Sequence, residues 1–510
     1  MADTIQLILS PKQAVSEQYV RKAAAVRLHL SDIYGYRIVK RSVDARQRDI
    51  KVLLTIMPIL TDKDLLTPQY DKPQYKDVSK ARHQVVIIGA GPAGLFAALT
   101  LLEYGIRPII IERGKEVHER KKDIALLNRN EGLNAESNYC FGEGGAGTFS
   151  DGKLFSRSKK RGNMQRVLEL FHYHGAQDNI LYETHAHIGS DRLPQIIKNM
   201  RLQILECGGE IHFEECVIEI KQNYVRTSKG NVYHGEAIVL AIGHSAHDTY
   251  RMLHRSGIRL ENKGFAMGVR VEHPQSLINR LMYHTDKLPV GLGNASYSLV
   301  TQVEGRGVYS FCMCPGGHIV PAGSDNQSCV VNGMSASHRN SPFANSGIVV
   351  EIREEDLPKE MLAGLKMQEE LEHLAFINGA APNKAPAQRL RDFVEGRGSS
   401  DLPLCSYLPG TVPSELNLWL PPFIGKRLQQ GFRDFDRKYP GFVTNDAVIL
   451  GVESRSSSAV RIPRHPTTLQ HTDMPMLYPC GEGAGYAGGI TSSALDGINA
   501  AIKIAEELLQ

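Results

Sequence analysis

An α/β fold is predicted for this 510-residue chain, with a parallel-sheet domain split in sequence, a mainly β insertion between its two parts, and a small α+β unit ahead of both. Three observations predict it. Residues 84–112 run strand, glycine turn, helix, strand, acid. Residues 477–508 give a second strand, a glycine-rich turn and a closing helix. Between them, residues 257–439 carry β-branched runs and turn signals with no further glycine fingerprint. Because the two pieces of like pattern flank the insertion, the domain they form is discontinuous. The expected divisions are 1–80, 81–256, 257–439 and 440–510.

Bulk composition removes several classes. With 42% hydrophobic and 22% charged residues the chain is that of a folded globular protein. No run approaches the roughly 18 apolar residues of a membrane span. The first ten residues (MADTIQLILS) lack the basic and long apolar regions of a leader. A cytoplasmic protein with no membrane partner is expected. Eight cysteines without a C-x-x-C pair indicate neither a disulfide framework nor a zinc site.

In chain order, residues 5–9 form an apolar segment, residues 11–30 a capped amphipathic stretch, and residues 36–43 and 50–60 two β-rich runs, giving a β-α-β-β unit. The 59 Lys/Arg against 55 Asp/Glu are unevenly placed, since residues 1–80 hold 14 against nine. Arg37, Lys40, Arg41, Arg46 and Arg48 concentrate this surplus, as an anion-binding patch or as a solvated strand surface. Residues 67–80, with two prolines and no periodicity, read as a linker or extended crossover.

The segment that follows is the most informative. The strand QVVII (84–88) leads directly into Gly89-Ala90-Gly91-Pro92-Ala93-Gly94 and a helix to Tyr104, which Gly105 stops; RPIII (107–111) then ends at Glu112. This is a Rossmann-like dinucleotide fingerprint in its full context. Gly89 permits the tight turn, Gly91 lets a pyrophosphate approach the backbone at the helix N-terminus, and Gly94 allows close helix packing. Glu112 is placed to accept from an adenosine ribose.

Later segments favour FAD over NAD. Residues 141–154 (FGEGGAGTFSDGKL) hold Gly142, Gly144, Gly145, Gly147 and Gly152, a density suited to a loop whose amides meet a cofactor. Residues 237–243 (AIVLAIG) form an apolar strand ending in Gly243. LYPCGEGA (477–484) ends a strand in Gly481-Glu482, and GYAGGI (485–490) opens the last helix, an arrangement suited to a ribityl chain and pyrophosphate.

The segments HQVVIIGAGPAGLFAALTLLEYGIRPIIIERG, FGEGGAGTFSDGKL, VYSFCMCPGGHIVPA, VVNGMSASHRNSPFANSG and YPCGEGAGYAGGITSSALDGI together resemble a bacterial and plastid FAD-dependent dehydrogenase family of uncharacterised function. That family has a small ferredoxin-like N-terminal unit and is similar in fold to glutathione-reductase-type flavoproteins with a substrate domain inserted into the FAD domain. The resemblance covers nearly the whole chain and departs at Ala459, where the family usually carries proline. It implies FAD held by Gly89, Gly91, Pro92, Ala93 and Gly94, and by Glu112 with its neighbour Arg113. It further implies the loop Gly144, Gly145, Ala146, Gly147 and Thr148, and Val217 beside the adenine. Gly243, Gly481, Glu482, Gly488, Gly489 and Ile490 complete the expected set.

Catalytic candidates fall among the glycine loops. Lys153 would place a cation near the flavin, or else be a surface lysine. His244 would exchange protons near neutral pH, or else serve a structural hydrogen bond. Ser335, His338 and Arg339 would form an anion pocket or cap their loop, with Arg339 the catalytic candidate. Glu453, Arg455 and Ser456 to Ser458 would line the same cavity or brace the domain return. Cys312 and Cys314 invite a redox reading, but residues i and i+2 of an extended strand lie about 6.5 Å apart, near the limit for a disulfide; buried structural cysteines are expected instead.

The function these readings favour is an FAD-dependent oxidoreductase working by hydride transfer on a small-molecule substrate. The absence of a second fingerprint leaves electrons to come from transient NAD(P)H docking, from the substrate or from a protein donor. The alternative is a flavin-containing RNA-associated or RNA-modifying protein that grips nucleic acid phosphate through its basic N-terminal unit.

Overall fold

Strand residues of this chain bury every second side chain where one sheet face is covered and nearly all of them where both are, and that distinction separates its layers. The computed structural model describes residues 4–61, 64, 68–155, 162–380 and 383–510. The statements below concern those residues.

In the N-terminal unit, the strand Lys51–Ile59 lies between Ile5–Leu9 and Gly35–Asp44, antiparallel to both. Its Val52, Leu54 and Ile56 point to one side, where the helix Glu17–Leu28 sets Val20, Ala24 and Ala25 against them. Ser16 caps that helix by accepting from the Tyr19 amide. The β-α-β-β order is as expected, and the sheet has three strands among the described residues. Its second strand is strapped to the next domain. The Arg41 amide donates to the Tyr182 carbonyl at 2.8 Å, and its guanidinium meets Glu183 at 2.7 Å and the Gly291 carbonyl at 2.9 Å.

The segment expected as a linker at 67–80 also lies along that domain; its first residue, Thr67, is outside the described residues. Val78 is fully buried and hydrogen-bonds the Cys207 carbonyl, while Tyr70 bonds His172.

The parallel sheet has the order Leu477–Pro479, Ala237–Leu240, Gln84–Ile88, Arg107–Ile111, Glu210–His212. Val85, Ile87, Ile110, Val239 and Tyr478 face the helices Pro92–Tyr104, Leu193–Glu206 and Ile490–Leu508. Val86, Ile88, Ile111, Ile238 and Leu240 face the other way, toward Val217, Ile220 and Tyr250. A sheet covered on both faces accounts for the unbroken apolar runs in the sequence.

A seven-stranded sheet forms the insertion, in the order Val300–Val303, Arg306–Cys314, Phe343–Ile352, Phe265–Pro274, Val448–Glu453, Ala385–Arg389, Thr411–Pro413. The helix Pro422–Lys438 packs Ile424, Leu428, Phe432 and Phe435 into its core. Val448–Glu453 lies inside this sheet, so the expected boundary at 439/440 comes too early. The Pro440-Gly441 turn leads into another strand of the same sheet, and the chain returns to the parallel-sheet unit only after Glu453. The insertion's helix Ala363–Asn378 is preceded by a single 3-10 turn at Glu354–Asp356. Pro358, with no amide hydrogen, separates the two.

Candidate cofactor and active site

The three fingerprint glycines do different work. Gly89 has φ +106°, which glycine adopts without strain, and a Cβ there would strike the Ala241 carbonyl. A Cβ at Gly94 would strike the Gly89 carbonyl. At Gly91 the same atom would meet only the Gly145 Cα, at an ordinary 3.8 Å. Gly91 is the N-cap of Pro92–Tyr104 with no side chain capping the helix, so the first-turn amides face an open cradle.

Glu112 holds this cradle together. Its buried carboxylate accepts from the Ala90 amide at 2.8 Å, the Gly114 amide at 2.9 Å and the Gly142 amide at 3.0 Å. Three of about four lone-pair sites are thereby used, and the fourth is left for a ribose hydroxyl. Glu112→Gln replaces one acceptor oxygen by an amine and sets it against backbone N–H groups. The expected result is a loss of about 2–3 kcal/mol of stability together with weaker cofactor retention, read by thermal melting and by flavin content.

Beneath the glycine-rich loop lies Arg120, fully buried. It donates to the carbonyls of Asn138, Tyr139, Gly142, Glu143 and Gly145. On the far side, Asp496 accepts from the Gly481 amide at 2.8 Å and pairs with Arg464, fixing the turn that precedes the last helix. That helix, Ile490–Leu508, starts at Gly489 (φ +137°) and also lacks a side-chain cap. Two helix N-termini thus open on one cavity of about 720 Å³, a volume typical of cofactor sites, which run from about 300 to 1,000 Å³.

Most of the expected cofactor residues line this cavity. Gly89, Gly91, Pro92 and Ala93 do so on the first helix, and Gly145, Ala146 and Gly147 on the loop. Glu112, Arg113, Val217 and Gly243 line the sheet end, and Gly481, Glu482, Gly488, Gly489 and Ile490 the last turn. Gly94, Gly144 and Thr148 do not. Gly94 serves helix packing, and Thr148 donates to the Glu143 carbonyl at 3.0 Å across the space a Cβ on Gly144 would fill. These three shape the site from behind.

The opposite wall comes from the insertion: Tyr309, Phe311, Cys312, Asn332 and Gly333. Lys153 reaches this end, so it is a cavity residue. Its ammonium sits 3.0 Å from Asp151, 3.9 Å from the Cys312 sulfur and 3.6 Å from that of Cys314. Burial disfavours its charge, but Asp151 and the two sulfurs outweigh this and hold it above the ordinary lysine value.

Arg339, expected as a catalytic residue, is not among the residues that line the cavity. Its guanidinium forms a two-pronged ion pair with buried Asp151, one arm at 2.9 Å, and therefore reaches the site only through that carboxylate. Ser335 donates to the Pro315 carbonyl at 3.1 Å, which ties its loop to the turn after Cys314.

His244 is on the cavity wall, hydrogen-bonded through Nδ1 to Ser245 Oγ at 2.9 Å. Burial, with Arg455 adding to it, pushes the imidazole down to about 3. The proton exchange near neutral pH expected of it is not supported, because the ring stays neutral there. Arg455 lines the same wall, clamped to Glu372.

Glu482 is the carboxyl most altered by the cavity. Burial pushes it up to about 7, against the pull of Lys263. A group whose folded value is raised contributes stability fully below its unfolded value, 4.5, and loses it as pH rises through about 7. The shift is worth on the order of 3 kcal/mol at completion. FAD-stripped protein is therefore expected to melt at lower temperature as pH goes from 5 to 8, and Glu482→Gln to flatten that slope.

Sequence reasoning missed Arg120, Glu372, Asp496 and the pairing of Arg270 with Glu453. A lone acid among apolar residues of a helix, as in ALDGI, was the available signal for Asp496, whereas Glu372 stands in QEELEH with two further acids and carries no such mark. Arg120 sits in HERKKD and looks like any solvated charge run. Among the described residues no cluster suits a metal ion and no helix is long and apolar enough to cross a membrane.

Comparison with known proteins gives matches along the chain. Residues 82–130 match a family described as an FAD binding domain, and residues 264–456 one described as FAD-dependent protein, C-terminal domain-like. Residues 1–57 match a domain of unknown function. An uncharacterized protein of Clostridium beijerinckii is 40% identical over 516 aligned residues, covering 96% of each chain. Among solved structures, a flavocytochrome c3 fumarate reductase in its open conformation is 12% identical, with a TM-score of 0.37 over 84% of this chain and 79% of that one. A geranylgeranyl bacteriochlorophyll reductase-like protein of Thermoplasma acidophilum is also 12% identical, with a TM-score of 0.35 over 83% and 79%.

Proposed function

The chain belongs to the family of the Clostridium beijerinckii protein that it matches along 96% of its length, and on that premise we propose that this FAD-dependent oxidoreductase exchanges a hydride with a small-molecule substrate in the cavity between its parallel sheet and its insertion. One observation carries the reading: two uncapped helix N-termini and a carboxylate-tied glycine turn open on the same cavity that the insertion closes with Cys312, next to Lys153 of the glycine-rich loop. Bound FAD supplies a two-electron carrier there.

The chain's residues supply the rest. The first-turn amides at Gly91 and Gly489 would hold the pyrophosphate, and Glu112 the adenosine ribose. Val217 would lie along the adenine. Lys153 would place positive charge where electron density gathers on reduction, and His244 would offer a neutral hydrogen-bonding wall. Arg455, clamped by Glu372, would keep a fixed cation at the substrate side. A nicotinamide donor would dock from solvent, since no second glycine fingerprint is encoded.

The RNA-associated reading draws less support from the N-terminal unit. Arg41 is spent on Glu183 and Gly291, and Arg46 pairs with Asp44. Anaerobic mixing of the yellow protein with NADH and NADPH, followed by reoxidation with a metabolite panel, tests the proposal. Bleaching by a nicotinamide and recovery by one metabolite are the expected results; a flavin that neither nicotinamide nor any metabolite reduces would overturn it.

A further inference from the structure

The Cys-Met-Cys segment does not lie as a plain extended strand. Cys312 adopts a left-handed backbone, φ +46°, and the pairing with Phe343–Ile352 slips between Phe311 and Cys314, so that Cys312 and Met313 together face Ser346. The strand bulges at Cys312 and rejoins the sheet at Cys314, which pairs with Asn345. The Cys314 thiol donates to the Cys312 carbonyl at 3.3 Å, and the Lys153 ammonium lies 3.9 Å from the Cys312 sulfur and 3.6 Å from the Cys314 sulfur, so both sulfurs gather on one cation. The distance argument against a redox pair, which assumed an extended strand, does not apply to this geometry.

The two sulfurs differ in access. Cys312 is half-buried and lines the cavity, whereas Cys314 is fully buried behind it. Around them sit three cations and two carboxylates. Lys153 and Arg339 share Asp151; Arg270, fully buried, pairs with Glu453 at 2.6 Å and donates to the Cys312 carbonyl at 2.8 Å. Arg270 also approaches the Cys314 sulfur at 3.7 Å. This buried cluster is one negative charge short of neutral, and the sulfurs are where that charge can reside. With Cys314 beside it, and with Lys153 and Arg270 adding to this against burial, the Cys312 thiol is held well below its ordinary value. Cys314 is raised by Cys312 beside it and by burial.

We propose that Cys312 and Cys314 form a redox-active dithiol–disulfide pair that exchanges two electrons with the flavin, with Cys312 facing the cavity and Cys314 resolving behind it. In the oxidative direction the Cys312 thiolate and Cys314 thiol form one S–S bond and the S–H bond of Cys314 breaks. The electron pair and that proton pass to oxidised FAD, which is reduced by two electrons. The reverse step opens the disulfide. The pair thus stores a second electron pair beside the cofactor, and Lys153 stabilises its thiolate. This rests on FAD occupying the cavity that Cys312 lines.

The test uses the holoenzyme oxidised with ferricyanide and desalted. Dithionite titration under argon is expected to take up four reducing equivalents per bound FAD in the wild type, two for each couple, and two in Cys312→Ser at equal FAD content. Independently, iodoacetamide followed by peptide mass measurement should leave Cys312 and Cys314 unlabelled in the oxidised protein, in a peptide lighter by two hydrogen atoms. Dithiothreitol treatment should restore labelling. Two equivalents in the wild type, with both cysteines labelled after oxidation, would overturn the proposal. If Cys312→Ser fails to fold, the mass measurement on wild type decides alone. A colourless protein that still forms the disulfide would instead count against the flavin assignment and leave the cysteine pair as a separate thiol couple.

Discussion

Gly91→Val is expected to give a folded protein that purifies without colour. The prediction turns on where the new side chain would go. At Gly89 or Gly94 a Cβ meets backbone carbonyls, so substitution there breaks the turn and the helix packing together. At Gly91 the Cβ itself has ordinary clearance, and the backbone is extended at φ −75°, which valine tolerates. The isopropyl group would fill the cradle in front of the first-turn amides and deny them to a pyrophosphate. FAD occupancy after gel filtration should fall below a tenth of wild type, while circular dichroism and the melting transition of the FAD-free forms remain alike. Near-wild-type FAD content in this variant would contradict the assigned role of the turn.

Lys153→Met should produce the opposite phenotype, full occupancy with slow chemistry. Lys153 directs its ammonium to Asp151 and the two sulfurs at the insertion end of the cavity, while the next residue, Leu154, accepts from Thr491 in the first turn of the last helix. Removing a positioned cation from a site where charge develops typically costs about 10²- to 10³-fold. Stopped-flow reduction by the best nicotinamide donor, normalised to bound FAD, is expected to slow by that amount. The variant also leaves Cys312 with one cation fewer, so the midpoint of its alkylation rate against pH should move upward. A purely structural lysine would lower the melting temperature and leave both the rate per flavin and that midpoint unchanged.

The dinucleotide turn was legible because its demands are local. The positive φ at Gly89 and the close approach at Gly94 each force glycine at a fixed offset from an apolar strand, and sequence records such offsets directly. Lys153 was legible as a candidate because it closes the glycine-rich loop, although its neighbour Gly152 packs against Leu193 and the Gly189 backbone and does not line the cavity. The cysteine geometry was not. The slip after Phe311 depends on how Arg306–Cys314 pairs with Phe343–Ile352, some thirty residues away, and nothing within CMC announces it. The boundary near 439 failed similarly, since a proline-glycine turn marks the end of an element without saying which sheet receives the next one. Arg339 stood in a motif that looked built for an anion. Its anion turned out to be Asp151 of the protein itself.

Arg120 carries a kinetic consequence. With five loop carbonyls turned inward on one buried guanidinium, the trans peptides point the alternate amide groups the other way, and the Gly145 carbonyl so held turns the Ala146 N–H away from Arg120. The loop takes its binding shape before any cofactor arrives, and the entropy of ordering it, about 1–2 kcal/mol per residue, was lost when the chain folded. Reconstitution of the stripped protein is then a single encounter whose speed follows FAD concentration linearly, with no plateau set by a slow rearrangement of the protein.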